Sequence, residues 1–268
     1  MQHFNDKVIA ITGTGSGIGR ALALAFARHG AKLALNDWKP ESLEETRKLI
    51  TNSGMQNPFC SAFDVANKET LFGFADDVIG QYGRVDIVIN NAGVGMGKIA
   101  FDEANLEDIE RLFDINFNGV LYGCKAFIPH LLKRPEAVLV NVSSVFGLTG
   151  IACGEAYTAS KFAVSGLTLS LMQTYRNTNL KIHVVYPGGV KTNIVANALN
   201  TPKSEDSQFE AKFLRRSPEV AAEKILKGIT EKKSRIFIGS EARLLDLSVR
   251  ASPMLGCYLV NRNIETKK

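Results

Sequence analysis

Tyr157 and Lys161 stand four residues apart in the stretch "YTASK". On a helix such a pair shares one face, one residue above the other. A lysine ammonium beside a phenol favours the phenolate and lowers its pKa from about 10 toward the neutral range. A tyrosine so placed can pass a proton to or from an alcohol or ketone oxygen. By composition alone the pair also fits chance, since the chain holds six tyrosines among many lysines.

Two further side chains extend that chemistry. Ser144 closes the apolar run "AVLVNVSS", and its hydroxyl can hold a substrate oxygen against Tyr157; it also reads as an ordinary serine at a strand end. Asn116 lies in "DINFNGV", inside a long helical stretch, where asparagine is a poor helix former. It either holds a water that links Lys161 to solvent or is a polar residue on an exposed helix face.

Glycines stand at 13, 15, 17 and 19 in "VIAITGTGSGIGRALALAFARHG". Glycine loses more backbone freedom on folding than any other residue, so four of them need a reason. Between a strand and a helix they let backbone N–H groups and a helix N-terminus approach a pyrophosphate. The pattern is T-G-x-x-x-G-x-G through Thr12, Gly13, Gly17 and Gly19, not G-x-G-x-x-G; taken alone it also describes a tight turn without a ligand. Asp37 ends the next strand, where a carboxylate can accept from both adenosine-ribose hydroxyls and repel a 2′-phosphate. The other reading of Asp37 is a turn-forming aspartate. Ser16 is not basic, which favours NAD over NADP, with Lys39 as a mild counter-signal. A bound, oxidised nicotinamide would bring a second positive charge to Tyr157.

These residues need elements to position them. Strands are expected at 7–12, 31–36, 58–63, 85–90, 137–144, 181–187 and 234–239. Helices are expected at 18–29, 41–52, 68–82, 105–131 and 157–176. Strands alternating with helices mean right-handed βαβ units, hence a doubly wound, Rossmann-like parallel sheet of about seven strands in a three-layer α/β/α arrangement. No linker, repeat or low-complexity tract divides residues 1–268, so one domain is expected. Ligands of such sheets sit at the carboxyl ends of the strands, where strand order reverses. The candidate residues fall just after strands.

Bulk properties exclude several classes. The net charge of +5 is spread among mixed acids and bases, which argues against a nucleic-acid partner. Cysteines 60, 124, 153 and 257 form no C-x-x-C pair and do not cluster with the histidines, so neither a metal site nor a disulfide framework is expected. Free thiols, no leader pattern and no run of roughly 20 apolar residues lead to the expectation of a cytoplasmic protein.

Together the motifs resemble the short-chain dehydrogenase/reductase family, in its single-domain branch, over nearly the whole chain to about residue 192. "TGTGSGIG" spans 12–19, Asp64–Val65 follows the third strand, and N-N-A-G is Asn90 to Gly93. The helix asparagine resembles Asn116, the serine Ser144, Y-x-x-x-K is Tyr157 to Lys161, and the P-G turn with its threonine is Pro187, Gly188 and Thr192. No motif position departs from the family pattern. The resemblance implies an NAD-dependent oxidoreductase moving hydride between nicotinamide C4 and a secondary alcohol or ketone carbon; the alternatives are an NADP-dependent carbonyl reductase of the same fold and a dinucleotide-binding sensor or scaffold without turnover. It implies a catalytic tetrad of Asn116, Ser144, Tyr157 and Lys161, with Tyr157 handling the proton. It implies a cofactor bed of Gly13, Gly15, Ser16, Gly17, Ile18 and Gly19. Asp64 and Val65 would contact adenine, Asn91 would approach the adenosine side, Gly93 would belong to the cofactor site, and Tyr157 and Lys161 would also touch the cofactor, Lys161 at the nicotinamide ribose. Pro187, Val190 and Thr192 would hold the carboxamide end. A homodimer or homotetramer is implied in the same way.

Three variable regions bear on substrate. These are "VGMGKIAF" (94–101), "VFGLTGIACGEA" (145–156) and 193–216, which resembles a substrate lid. Met96, Phe146, Leu148 and Ile151 are candidate wall residues, so an apolar or partly apolar alcohol or ketone is expected. The extension at 240–268 has apolar residues at helical spacing. It is expected to pack against another subunit, failing that to cover the active site, with a membrane-surface contact the least expected.

Overall fold

A computed structural model describes residues 4–97, 99–194, 197–199 and 216–262. Its centre is a seven-stranded parallel sheet in the order β3-β2-β1-β4-β5-β6-β7. The strands are β1 (Val8–Thr12), β2 (Lys32–Asp37), β3 (Phe59–Ala62), β4 (Ile87–Asn90), β5 (Ala137–Val142), β6 (Leu180–Pro187) and β7 (Arg235–Ile238). Chain order runs outward from β1 to β3, then returns to start the other half at β4. The switch point therefore lies between β1 and β4, where a crevice opens at the carboxyl edge.

Near-continuous apolar runs explain strands covered on both faces. Every residue of β1 is buried, and alternate side chains feed two cores. Ile9 and Ile11 join Leu22 and Phe26 on one face; Val8 and Ala10 join Phe74 and Phe127 on the other. Helix α1 (Gly17–Arg28) has apolar residues at 18, 21, 22, 25 and 26, the spacing of one helical stripe. It packs on the sheet beside α7 (Pro218–Thr230). Leu22 and Phe26 are fully buried, and each such side chain stabilises the fold by about 1.5–3 kcal/mol.

The remaining helices are α2 (Pro40–Asn52), α3 (Lys68–Tyr82), α4 (Leu106–Phe113), α5 (Gly119–Leu131), α6 (Glu155–Thr174), α8 (Ser240–Ala251) and α9 (Pro253–Asn261). Two local differences from the sequence expectation matter. The helix expected at 105–131 is broken by a π-helical turn over Asp114–Asn118, centred on Asn116. The fifth strand stops at Val142, and Ser144 is the N-cap of a short 3₁₀ turn over Val145–Gly147, its Oγ accepting from the Phe146 N–H at 3.2 Å.

Candidate active site

The carboxyl ends of β1, β2, β4, β5 and β6 open on one cleft of about 1420 Å³. Its floor is the glycine turn. Gly17 has φ +54°, a left-handed conformation that favours glycine, and a Cβ there would lie 3.1 Å from Thr192 Cβ across the cleft. Gly19 packs so closely that a Cβ would fall 1.9 Å from the Gly13 carbonyl oxygen. Gly15 donates its N–H to Asp37 Oδ2 at 2.7 Å. The turn is tied to β4 as well: Thr12 Oγ1 accepts from the N–H groups of Asn91 and Ala92, both at 3.1 Å. Asn91 Nδ2 donates to the carbonyls of Thr12 at 2.9 Å and Gly13 at 3.0 Å. A cradle of bare backbone at the start of α1 results, and it fits the diphosphate of a dinucleotide.

Asp37 is nearly buried, and its Oδ1 accepts from the Lys39 N–H at 3.0 Å. Nearby cations already have partners. Arg20 pairs with Glu45 at 2.7 Å, and Lys39 Nζ donates to Asn197 Oδ1 at 3.1 Å. Asp64 pairs with Arg111, and Val65 is buried in the cleft wall.

At the other end, β5 and α6 bring Ser144, Tyr157 and Lys161 together. The 20-residue helix α6 starts at Glu155, so Tyr157 sits in its first turn. Lys161 Nζ lies 5.7 Å from the Tyr157 ring centroid and donates to the Val142 carbonyl at 3.4 Å. Burial pushes the Lys161 ammonium down to about 8. Burial likewise pushes the Tyr157 phenol up to about 12, against the pull of the Ser144 hydroxyl. The direction for Tyr157 is opposite to the expectation from spacing. Desolvation of the phenolate outweighs an ammonium that stands beside the ring rather than on the hydroxyl.

Asn116 is fully buried, which removes the exposed-face reading. Its Oδ1 accepts from the Val94 N–H at 2.8 Å, and its Nδ2 donates to the Val94 carbonyl at 3.0 Å and to Ser160 Oγ at 3.2 Å. Ser160 Oγ in turn donates to the Tyr157 carbonyl at 2.7 Å. A Cβ on Gly93 would meet Asn116 Oδ1 at 3.0 Å and Lys161 Nζ at 3.2 Å, so the two groups converge there. Val94 and Ser160 were not singled out from sequence. The signal for Ser160 was its place three residues after Tyr157, on the helix face it shares.

The cleft wall contains Met96, Phe146 and Ile151 but not Leu148. Leu148 follows the 3₁₀ turn and is turned out of the wall. Phe146 meets Tyr157 edge-on, centroids 6.4 Å apart. The lid expected at 193–216 falls mostly outside the described residues. Its described ends are anchored: Leu199 bridges to Met96, and Arg216 to Val190. The extension contributes Leu244, Leu245, Leu259 and Val260 to the wall, in keeping with the active-site cover that is the second of its expected roles. Asn261 secures it, with Nδ2 donating to the Gly150 carbonyl at 3.0 Å and Oδ1 accepting from the Ala152 N–H at 2.8 Å.

Strand order, glycine cradle and the buried lysine beside a tyrosine define the class: a nicotinamide-dinucleotide oxidoreductase of Rossmann-like fold. Comparison with known proteins narrows it. A sequence profile described as short chain dehydrogenase matches residues 7–203. The Mycobacterium tuberculosis protein named as the oxidoreductase SadH is 40% identical over 258 residues, covering 93% of this chain and 92% of its own. Epidermal retinol dehydrogenase 2 from Homo sapiens is 35% identical over 235 residues, covering 87% of this chain and 74% of its own. A solved short chain dehydrogenase/reductase from Burkholderia phymatum, in complex with NAD, superimposes with a TM-score of 0.87 at 26% identity over 100% of both chains. The chain belongs to the short chain dehydrogenase family.

Proposed function

We propose that the protein interconverts a secondary alcohol and a ketone with NAD as hydride carrier. The observation that carries this reading is the meeting of Ser144, Tyr157 and Lys161 in the cleft that also holds the glycine cradle and Asp37. When bound, the dinucleotide takes up or supplies the hydride at nicotinamide C4. Tyr157 Oη accepts the alcohol proton during oxidation and returns it to the ketone oxygen during reduction. Ser144 Oγ donates to that same oxygen and holds it at the phenol. Lys161 supplies positive charge that lowers the cost of the phenolate. Asn116 and Ser160 fix the chain on either side.

Two features favour NAD over NADP. The Asp37 carboxylate ends β2, where it would repel a 2′-phosphate, and Arg20 is neutralised by Glu45, while Lys39 remains a mild counter-signal. Met96, Phe146, Ile151 and the apolar residues of α8 and α9 support a largely apolar substrate. The name of the human relative, a retinol dehydrogenase, agrees with that class. Family membership supports a homo-oligomer.

The test is NADH formation, followed by its near-ultraviolet absorbance, with NAD and secondary alcohols from short diols to steroids. Turnover should favour the apolar alcohols and fall about a hundredfold or more in Tyr157→Phe, with NADH binding retained. Undiminished turnover in that variant would remove Tyr157 from the reaction.

A further inference from the structure

Helices α8 and α9 carry large apolar side chains on their outer side. Leu244, Leu247 and Tyr258 are each 64% exposed, Met254 is 73% and Leu255 is 43%. Such a group on one surface calls for a partner. The inner side of the same helices is fixed. Ala242 and Leu245 are buried, and Gly256 meets α8 so closely that a Cβ would lie 2.3 Å from Val249 Cγ2. Cys257 Sγ accepts from Thr149 Oγ1 at 3.4 Å. Asn261 is held by Gly150 and Ala152 as described. The outer side cannot turn inward without breaking these contacts.

Charge says what the partner is. Between 240 and 262 the bases are Arg243, Arg250 and Arg262, and the acids are Glu241 and Asp246. Arg216 engages Glu241, and Arg235 engages Asp246, both from outside the two helices. Arg250 shares Asp246 at 3.1 Å. The helices' own arginines are therefore left in excess around the apolar side chains. A second copy in a two-fold contact would set this net-positive patch against itself, like charge against like. An anionic lipid surface offers headgroup charge to the arginines and acyl chains to Leu244, Leu247 and Met254. Tyr258 has the amphipathic ring suited to that depth.

We infer that the outer face of α8 and α9 docks the protein on an anionic lipid surface, with the mouth of the cleft set against it. Leu244 and Arg262 belong both to this face and to the cleft wall, so the two are continuous. The contact is peripheral: no helix among the described residues is long and apolar enough to cross a membrane. The docking stands apart from the reaction proposed above, and its test needs no turnover.

The experiment sediments the full chain with phosphatidylcholine vesicles containing about one-third phosphatidylserine, and with phosphatidylcholine vesicles alone. The protein should pellet with the first and stay in solution with the second. Arg243→Ala and Arg262→Ala should each weaken partitioning about fivefold. Leu247→Ser combined with Tyr258→Ser should weaken it about tenfold or more. Unchanged circular-dichroism melts would show that these variants fold. Equal behaviour on the two vesicle types, or binding indifferent to the substitutions, overturns the inference. So does an oligomer in analytical ultracentrifugation that the double variant dissociates while the parent ignores vesicles; the face is then a subunit contact.

Discussion

Asn116 and Val94 exchange two hydrogen bonds, the asparagine amide pairing with the Val94 backbone as a neighbouring strand would. The second Nδ2 proton goes to Ser160, so both amide protons are committed to protein. The side chain therefore pins the segment after β4 to α6, and the π turn is what brings it inward. A widened turn of this kind often marks a functional position. Asn116→Leu would leave the half-buried Val94 N–H and carbonyl without their partner, at about 1–3 kcal/mol each. At about 2–4 °C per kcal/mol for a chain of this size, a thermal melt should fall by roughly 4–24 °C. A melt within a degree or two of the parent would mean that water replaces the amide.

Asp37 accepts the Gly15 N–H and so links the glycine turn to the residue expected to choose the dinucleotide. Asp37→Ser keeps a small polar group and removes the charge. The ratio of kcat/KM for NADP over NAD should then rise about tenfold or more, because like charges set face to face cost several kcal/mol. Steady-state kinetics with both dinucleotides decides it. An unchanged ratio would leave Asp37 as a brace for the turn only.

Much of this site was legible because chemistry and turn geometry are local. The glycine turn, Asp37 at the end of β2, and Tyr157 above Lys161 each depend on residues within one strand–turn–helix unit. The strands were legible from their apolar runs and their parallel pairing from the alternation with helices, while the strand order is set by tertiary packing. What stayed hidden was tertiary. The π turn depends on Val94, more than twenty residues from Asn116, and Ser144 leaves β5 early to cap a 3₁₀ turn. The pKa of Tyr157 follows its burial, which spacing cannot report. The wall formed by Leu244, Leu245, Leu259 and Val260 depends on a long-range bond from Asn261 to a loop more than a hundred residues away.

That bond gives a prediction about substrate rather than chemistry. Asn261 holds α9 against Gly150 and Ala152, in the loop between Ser144 and Tyr157. Asn261→Ala should loosen the apolar wall without moving Tyr157. For an apolar alcohol, KM should rise about tenfold while kcat changes less than about twofold, the pattern of lost uniform binding. A fall in kcat at unchanged KM would instead mean that the helix acts on the reacting groups.

Lys161 is pushed down to about 8 by burial, and Tyr157 up to about 12. In the proposed reduction the phenol would be the acid, and it stays protonated through the working range. The group that changes is the ammonium, which loses its charge as pH rises through about 8. The parameter kcat/KM for NADH, at saturating ketone, reports groups of the free enzyme. It should fall above about pH 8 along a single-proton limb. In Lys161→Met the rate should be lower by about a hundredfold and that limb absent. A parent profile flat across this pH would take the lysine out of the proton chemistry.

His183 titrates away from the site and bears on stability. It is buried in β6, and its Nδ1 lies 2.7 Å from the Lys233 carbonyl. A carbonyl only accepts, so Nδ1 carries the proton and Nε2 is bare, with no partner among the described residues. Protonating Nε2 would bury a second N–H without an acceptor, and desolvation accordingly lowers the pKa from 6.5. The folded value lies below the unfolded one, so this group's stabilisation is complete above 6.5 and is lost as pH falls toward the folded value. The loss is at most about 1.4 kcal/mol per pH unit. His183→Asn retains a donor near Nδ1 and cannot titrate. Urea melts at about pH 7.5 and about pH 5.5 should show a smaller acid-induced loss in the variant than in the parent. Equal losses would mean that Nε2 finds water when protonated, and that the acid sensitivity belongs to carboxylates elsewhere.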